Sequence, residues 1–501
     1  MKKELSAFRL LRLAIILGAM CGSVTAFDFS TIENKISDFE LDNGMKFIIL
    51  EDHSAPVISF ALQVNVGCAY DPKEYMGLSH FWEHMAFKGT SEVGTKDIKK
   101  EKKAIEKLDA LYKDLRAEEL KGNFADTVKL ADLKEKFKAA QEEAEKYVAM
   151  NEFSLIVEQE GGVGLNAGTG YDVTTYYYSL PSNKMELWFY LSSSRFNDPV
   201  LRQFYKEKEV IKEERRMGVE SSPFGRLQDE FLHAVFRAHP YGQSLIGEMS
   251  DIHNFDKEAL LAHFRKHYIP SNMVAVLVGD VDMEMAKSLA NEYWGRLPKV
   301  EKPRRLAIEE PIQRAERRAI VIDKSQPMLL MGFHRPEVTD DDDVLYSAMA
   351  DYLGQGRTSL LYKNLVKDKK IATAVQAFDS YPASKYPNLF GVFAMPSQGV
   401  SATECETEIL AEIQKLKEDL IPDEELEKIK ARAKSSFIGA LASRNGMARQ
   451  LANAHTYYGD WRELFKVLDE YERITAEDIQ RVANELFTRN NRTVAYIETE
   501  E

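Results

Sequence analysis

His80 and His84 lie four positions apart, so on an α-helix of ~3.6 residues per turn their imidazoles project one above the other and can grip one ion. Glu83 occupies the same turn. Imidazole nitrogen suits zinc, and a carboxylate beside a metal-held water can take its proton, so His80-Phe81-Trp82-Glu83-His84 has the layout of an inverted His-x-x-Glu-His hydrolase motif. Two imidazoles do not complete such a site, which usually takes three protein ligands and leaves a fourth position for water. The charged run 202–217, read as a helix, offers Glu207, Glu209, Glu213 and Glu214. Glu207 and Glu214 are two turns apart and share a face, whereas Glu209 and Glu213 read as a solvated charge run.

These side chains need a scaffold, and the pattern around them supplies one. Residues 36–41 and 45–50 alternate as strands about an Asp42-Asn43-Gly44 turn, and 57–66 reads as a third strand. Residues 78–87 have the spacing of a buried helix. Residues 97–150 depart from this alternation and are dense in Lys, Glu, Ala and Leu, with apolar positions at three- and four-residue intervals, which predicts a charged helical hairpin turning at Gly122-Asn123. A solvated protrusion is the preferred reading of it, partner contact the alternative. Strands at 173–180 and 273–278 follow, with helices at 184–195 and 283–293, then a polar linker with Pro303. The chain then starts over, with strands expected to pair at 318–323 and 328–334. It ends on 492–497, which echoes 273–278, each after an Asn (Asn272, Asn491) behind a helix. This self-similarity implies a duplicated domain.

Length and composition agree. At 501 residues with 44% hydrophobic and 29% charged, the chain exceeds one core and reads as globular. Lys2, Lys3, Arg9 and Arg12 precede a short apolar run from Leu13 to Met20 and then Val24-Thr25-Ala26, the layout of a signal peptide cleaved after Ala26. Export is therefore expected, periplasmic in a Gram-negative source, with no membrane span after cleavage. Removing residues 1–26 takes away four basic and one acidic side chain and deepens the net charge from −14 to −17. An acidic chain is a poor nucleic-acid binder. Cys68 and Cys405, the cysteines that remain, imply no disulfide framework.

Three segments make the resemblance specific. Residues 77–90 around the two histidines, Gly161-Gly-Val-Gly-Leu-Asn-Ala167, and Glu207-Lys-Glu-Val-Ile-Lys-Glu-Glu214 resemble the pitrilysin and insulinase family of zinc peptidases, in its processing-peptidase branch. Pro240-Tyr241-Gly242, Ile246-Gly247 and 268–272 extend the likeness over nearly the whole chain. The resemblance implies an α+β fold of two homologous domains, each a mostly antiparallel sheet with helices packed on one face, and the charged hairpin inserted in the first. It implies domains at 27–298 and 316–501 around a linker at 299–315. It makes His80, His84 and Glu214 the ligands of one Zn2+ per chain, Glu83 the general base, and Glu207 a supporting carboxylate. Asn166 and Ala167 match the edge segment on which such enzymes lay an extended peptide substrate as an added strand.

One departure matters. Where the family's second domain carries an Arg and, seven residues on, a Tyr that reach the substrate, this chain has Val366 and Thr373. Losing such donors typically costs ~100-fold or more in rate. The resemblance therefore implies the zinc-bearing half of a pair, completed by a homologous subunit that supplies Arg and Tyr. Two opposing readings stand beside it: a non-catalytic peptide-binding or scaffold subunit, and an unrelated metal hydrolase. The intact set of His80, Glu83, His84 and Glu214 argues against the first, and the Gly-Leu-Asn-Ala segment against the second.

Overall fold

The computed structural model describes residues 30–500, and the expected export segment lies outside the described residues. The first sheet comprises β1 (Ile36–Glu40), β2 (Lys46–Glu51), β3 (Val57–Val64), β4 (Val163–Thr169), β5 (Thr174–Pro181) and β6 (Met273–Gly279), in the order β1-β2-β6-β3-β5-β4. The second comprises β7 (Arg317–Asp323), β8 (Leu329–Arg335), β9 (Ala372–Tyr381), β10 (Asn388–Pro396) and β11 (Arg492–Thr499), in the order β7-β11-β8-β10-β9. The opening strands form the expected antiparallel hairpin. Residues 318–323 and 328–334 do not pair with each other as the sequence suggested. β11 enters between β7 and β8, parallel to the first and antiparallel to the second, as β6 does between β2 and β3. The cause is apolarity: β6 is buried along its whole length and β11 from Thr493 to Ala495, so each takes a centre covered on both faces and separates its neighbours.

Topology therefore bears out the duplication, since β2-β6-β3-β5-β4 and β7-β11-β8-β10-β9 correspond in order and direction. Local chemistry repeats with it. Asn272 Nδ2 donates to His267 O and Asn65 O, and Asn491 Nδ2 donates to Leu486 O and His334 O, so each asparagine ties a helix end to a neighbouring strand segment.

Eight helices matter for the site: α1 (Leu78–Met85), α2 (Ile98–Glu119), α3 (Thr127–Glu145), α4 (Phe204–Arg215), α5 (Pro223–Val235), α6 (Lys257–His267), α7 (Asp423–Leu441) and α8 (Arg444–Tyr458). Each sheet carries helices of its own half on one face. The opposite face is covered by a helix of the other half. Leu451, Ala448 and Met447 of α8 pack on Ile48, Ala61 and Val276 of the first sheet, and Leu227, Phe231 and Val235 of α5 pack on Leu330, Ala495 and Ile497 of the second. Both helices open on the same Ser-x-x-Gly start, Ser222 and Ser443 accepting the Gly225 and Gly446 N–H at 3.1 and 3.0 Å. A Cβ on either glycine would come within 2.1–2.2 Å of a backbone oxygen of the preceding segment, so the tight entry needs glycine. Between the halves, buried Asp172 accepts hydrogen bonds from Tyr241 OH and from the Ser384 and Lys385 N–H groups.

The charged hairpin forms as expected, with Asp97 and Asp126 capping its two helices. Glu118 closes the turn by accepting from the Asp126 N–H and from Lys121 and Lys129. Its outer end is solvated and leaves Phe124 92% exposed. Its base is not a solvated protrusion. Tyr112 packs on Tyr205 of α4 with ring centroids 4.2 Å apart and the rings tilted, and Lys208 Nζ donates to Tyr112 OH at 2.7 Å. Arg202, expected within the helix, precedes it and forms a buried ion pair with Glu101 at 2.8 Å. Three backbone carbonyls, those of Lys88, Thr90 and Val93, satisfy its other donors. Amphipathic periodicity alone could not reveal this, because Glu101 and Arg202 look like ordinary surface charges.

Leu451→Ala in α8 should cost about 2–5 kcal/mol, the range for emptying a fully buried leucine site. Because α8 belongs to one half and its sheet to the other, urea unfolding followed by fluorescence and circular dichroism should remain one transition that shifts as a unit. Two separated transitions would contradict the exchange as a coupling device.

Candidate metal centre

α1 is short and made rigid from outside. Asp71 caps it, accepting the Gly77 and Ser79 N–H groups and the Ser79 hydroxyl at 2.6–3.0 Å. Leu78, Phe81, Trp82 and Met85 point inward at helical spacing, Trp82 stacking on Phe264 at 4.0 Å. That periodicity leaves His80, Glu83 and His84 on the other face. α4 faces them, and Glu214 Oε2 lies 3.8 Å from His80 Nε2 and 3.7 Å from His84 Nε2. One ligand atom from each of the three residues falls within 4.8 Å of the others, the one such group among the described residues.

Glu207 lies two turns earlier on α4, and its Oε1 sits 2.8 Å from His84 Nδ1. Its Oε2 pairs with Lys88 at 2.5 Å. Burial works to raise the Glu207 carboxyl, but the hydrogen bonds from His84 and Lys88 outweigh it and hold the group below its ordinary range. The ionised carboxylate therefore keeps a proton on Nδ1 and leaves Nε2 as the free lone pair. His84 shows the counterpart: burial lowers it, and the Glu207 bond with the charges of Glu214, Glu207 and Glu83 raises it overall. His80 has no such partner on Nδ1, and burial with the neighbouring His84 pushes it down to about 4, so it is a neutral donor at pH 7.

Glu83 accepts a hydrogen bond from Thr169 Oγ1 at 2.8 Å, and burial, which this bond only partly offsets, raises its carboxyl above the ordinary range. Thr169 ends β4, the outer strand of the first sheet, which pairs with β5 on one side only. Asn166 and Ala167 lie on that strand, Asn166 exposed and its Oδ1 accepting the Ala167 N–H at 2.9 Å. Glu209 and Glu213 turn outward and pair with Lys212 and Arg216.

The donor chemistry fits zinc: two imidazole nitrogens and one carboxylate oxygen converge, with one imidazole oriented by a second carboxylate. Sequence reasoning missed Thr169 and Lys88. Strand alternation from Ala167 would have found Thr169, two residues on and on the same face. Lys88 gave no signal, since it lies beyond the end of α1 and reaches Glu207 only through the fold.

Two duplicated α+β halves, one bearing an inverted His-x-x-Glu-His helix opposite a glutamate, define a zinc-peptidase type of scaffold. The insulinase model of peptidase family M16 matches residues 46–110 and 133–249, and the model described as the peptidase M16 inactive domain matches 254–433. The chain belongs to peptidase family M16. The break in the first match falls inside the charged hairpin. Zinc protease PqqE of Helicobacter pylori is 28% identical over 70% of this chain and 80% of its own, and the uncharacterized zinc protease YmxG of Bacillus subtilis 23% identical over 91% and 96%. The fold is shared with a crystal structure of a Helicobacter pylori protease (TM-score 0.77, 24% identity, 93% of this chain and 99% of that one). It is also shared with that of a peptidase M16 inactive domain from Pseudomonas fluorescens (0.74, 15%, 93% and 98%).

Beneath α1, Ser79 Oγ meets His263 Nε2 at 3.0 Å, and His267, whose ring nitrogens both lack a hydrogen-bond partner, packs on His263. Burial holds His267 down to about 4. The unfolded chain thus takes up that proton first, near 6.5, and stability present above pH 6.5 drains away as pH falls toward 4, at up to about 1.4 kcal/mol per pH unit. His267→Leu should flatten this loss, read as urea midpoints of metal-free protein at pH 7 and pH 4.5; identical acid losses in both proteins would refute it.

Proposed function

We propose that this chain is an exported zinc endopeptidase that cleaves extended peptides, with His80, His84 and Glu214 holding one Zn2+ and Glu83 serving as general base. The observation that carries the reading is the convergence of both Nε2 atoms on the Glu214 carboxylate, with Glu83 on the same helical face and against the edge strand. The relatives' names as zinc proteases support it. Bound there, zinc supplies Lewis acidity toward a scissile carbonyl and acidifies water. The chain's own residues do the rest. β4 offers its open edge, through Asn166 and Ala167, to an extended peptide that adds as a further strand. Glu83, steadied by Thr169, takes a proton from the attacking water and returns it to the departing amine.

Completion by a homologous subunit is part of the proposal. Val366 is packed against the second core, and Thr373 Oγ1 donates to Met395 O, so neither offers the donors that a guanidinium and a phenol would. A chain that binds zinc yet needs another's Arg and Tyr accounts for both observations.

Glu83→Gln should retain zinc and lower turnover by about 10²–10⁴-fold, whereas Glu214→Gln should lose zinc as well. Metal analysis paired with peptide hydrolysis checks both, and zinc occupancy unchanged in Glu214→Gln would remove that residue from the ligand set. For the partner, purified chain assayed alone should cleave slowly, at about 1% or less of the rate with the homologous subunit added; full activity alone would end the heterodimer reading. Peptide binding without cleavage under every condition would instead favour the scaffold role.

A further inference from the structure

The two ligand-bearing helices meet through a seam that the zinc reading leaves unassigned. At the start of α1, Gly77 lies back to back with Gly247: a Cβ on Gly77 would fall 2.3 Å from Ile246 O, and one on Gly247 would fall 1.8 Å from Met76 O. Both glycines have positive φ, +94° and +80°. No side chain fits between the two segments, so the 244–248 loop moves only if the start of α1 moves with it.

The same loop is gripped by α4. Arg215, next to Glu214, is buried, and its Nη1 donates to Gly247 O at 2.6 Å and Ser244 Oγ at 3.0 Å. Its Nη2 donates to Glu248 Oε2 at 2.5 Å, with Asp229 3.7 Å away. A rigid, planar fork thus reads a backbone carbonyl, a hydroxyl and a carboxylate of one short loop, a geometry that lysine cannot reproduce.

Resting on the assignment of Glu214 as a zinc ligand, we infer that Arg215 is a positioning residue that sets the separation of Glu214 from His80 and His84 by clamping α4 to the Gly77–Gly247 seam. The arginine directs Nη1 and Nη2 at the 244–248 loop. It fixes the register of α4 against a loop that is itself locked to α1, so the three ligand atoms converge before any ion arrives.

Zinc affinity of the full chain, measured by chelator competition alongside the thermal midpoint of the metal-free protein, tests this. Arg215→Lys should weaken zinc binding about 10- to 100-fold, the range seen when groups that orient ligands are altered, at temperatures well below a lowered metal-free midpoint, where the apo protein is still folded. Arg216→Gln, which removes an exposed neighbouring charge paired with Glu213, should leave affinity unaltered. Should Arg215→Lys fail to fold, Ser244→Ala removes one acceptor of the fork with the arginine intact and should weaken zinc binding in the same direction. In the double variant the two losses should be less than additive, because both act through one contact. Wild-type affinity in Arg215→Lys, or full additivity, overturns the clamp. Wild-type protein that binds no zinc overturns instead the metal assignment on which the clamp rests, a distinguishable result.

Discussion

Three candidate ligand atoms from two helices, separated by more than a hundred residues of chain, must stay within 4.8 Å of one another. Nothing in that trio holds itself together. Burial favours a neutral His80, yet it works against the Glu207 carboxylate beside His84, and the hydrogen bonds from His84 and Lys88 resolve this tension. Glu207 commits one oxygen to His84 and the other to Lys88, so a negative charge is brought close to the site without being left uncompensated. Remove that arrangement and α4 loses the paired contacts through which Glu207 reaches His84 and Lys88.

The rest of the first half can be understood as support for that approach. The apolar face of α1 is sunk among Phe264, Phe204 and Phe255, its first turn is capped by Asp71, and α4 is backed on its far side by the base of the charged hairpin. The hairpin thus combines a solvated end with a structural root. Its buried Glu101–Arg202 pair ties the α2 end of the insertion to the loop that leads into α4.

Much of this was legible in the sequence, for identifiable reasons. The motif helix showed itself because the metal chemistry proposed for it would need His80, Glu83 and His84 at fixed intervals, and the same intervals place Leu78, Phe81, Trp82 and Met85 inside. The duplication was readable from Asn272 and Asn491, whose side chains do the same work in both halves. What stayed hidden depended on long-range pairing. The insertion of β11 between β7 and β8 is decided by which strand is apolar enough for a doubly covered centre, and local alternation says nothing of it. Lys88, Arg202 and Arg215 are basic residues whose partners come from distant segments, so composition made them look like surface charge.

The reciprocal placement of α5 and α8 bears on how such a chain arises. A polypeptide of half this length would carry a sheet with one bare apolar face and a helix with nothing of its own to cover. Two copies would be complementary to each other, each lending its helix to the other's sheet, which is the condition for a closed two-fold dimer. Joining the copies through residues 298–316 turns a concentration-dependent encounter into an intramolecular one. It also frees the halves to diverge: the first keeps the histidines, while in the second α8 still lies across its neighbour's sheet.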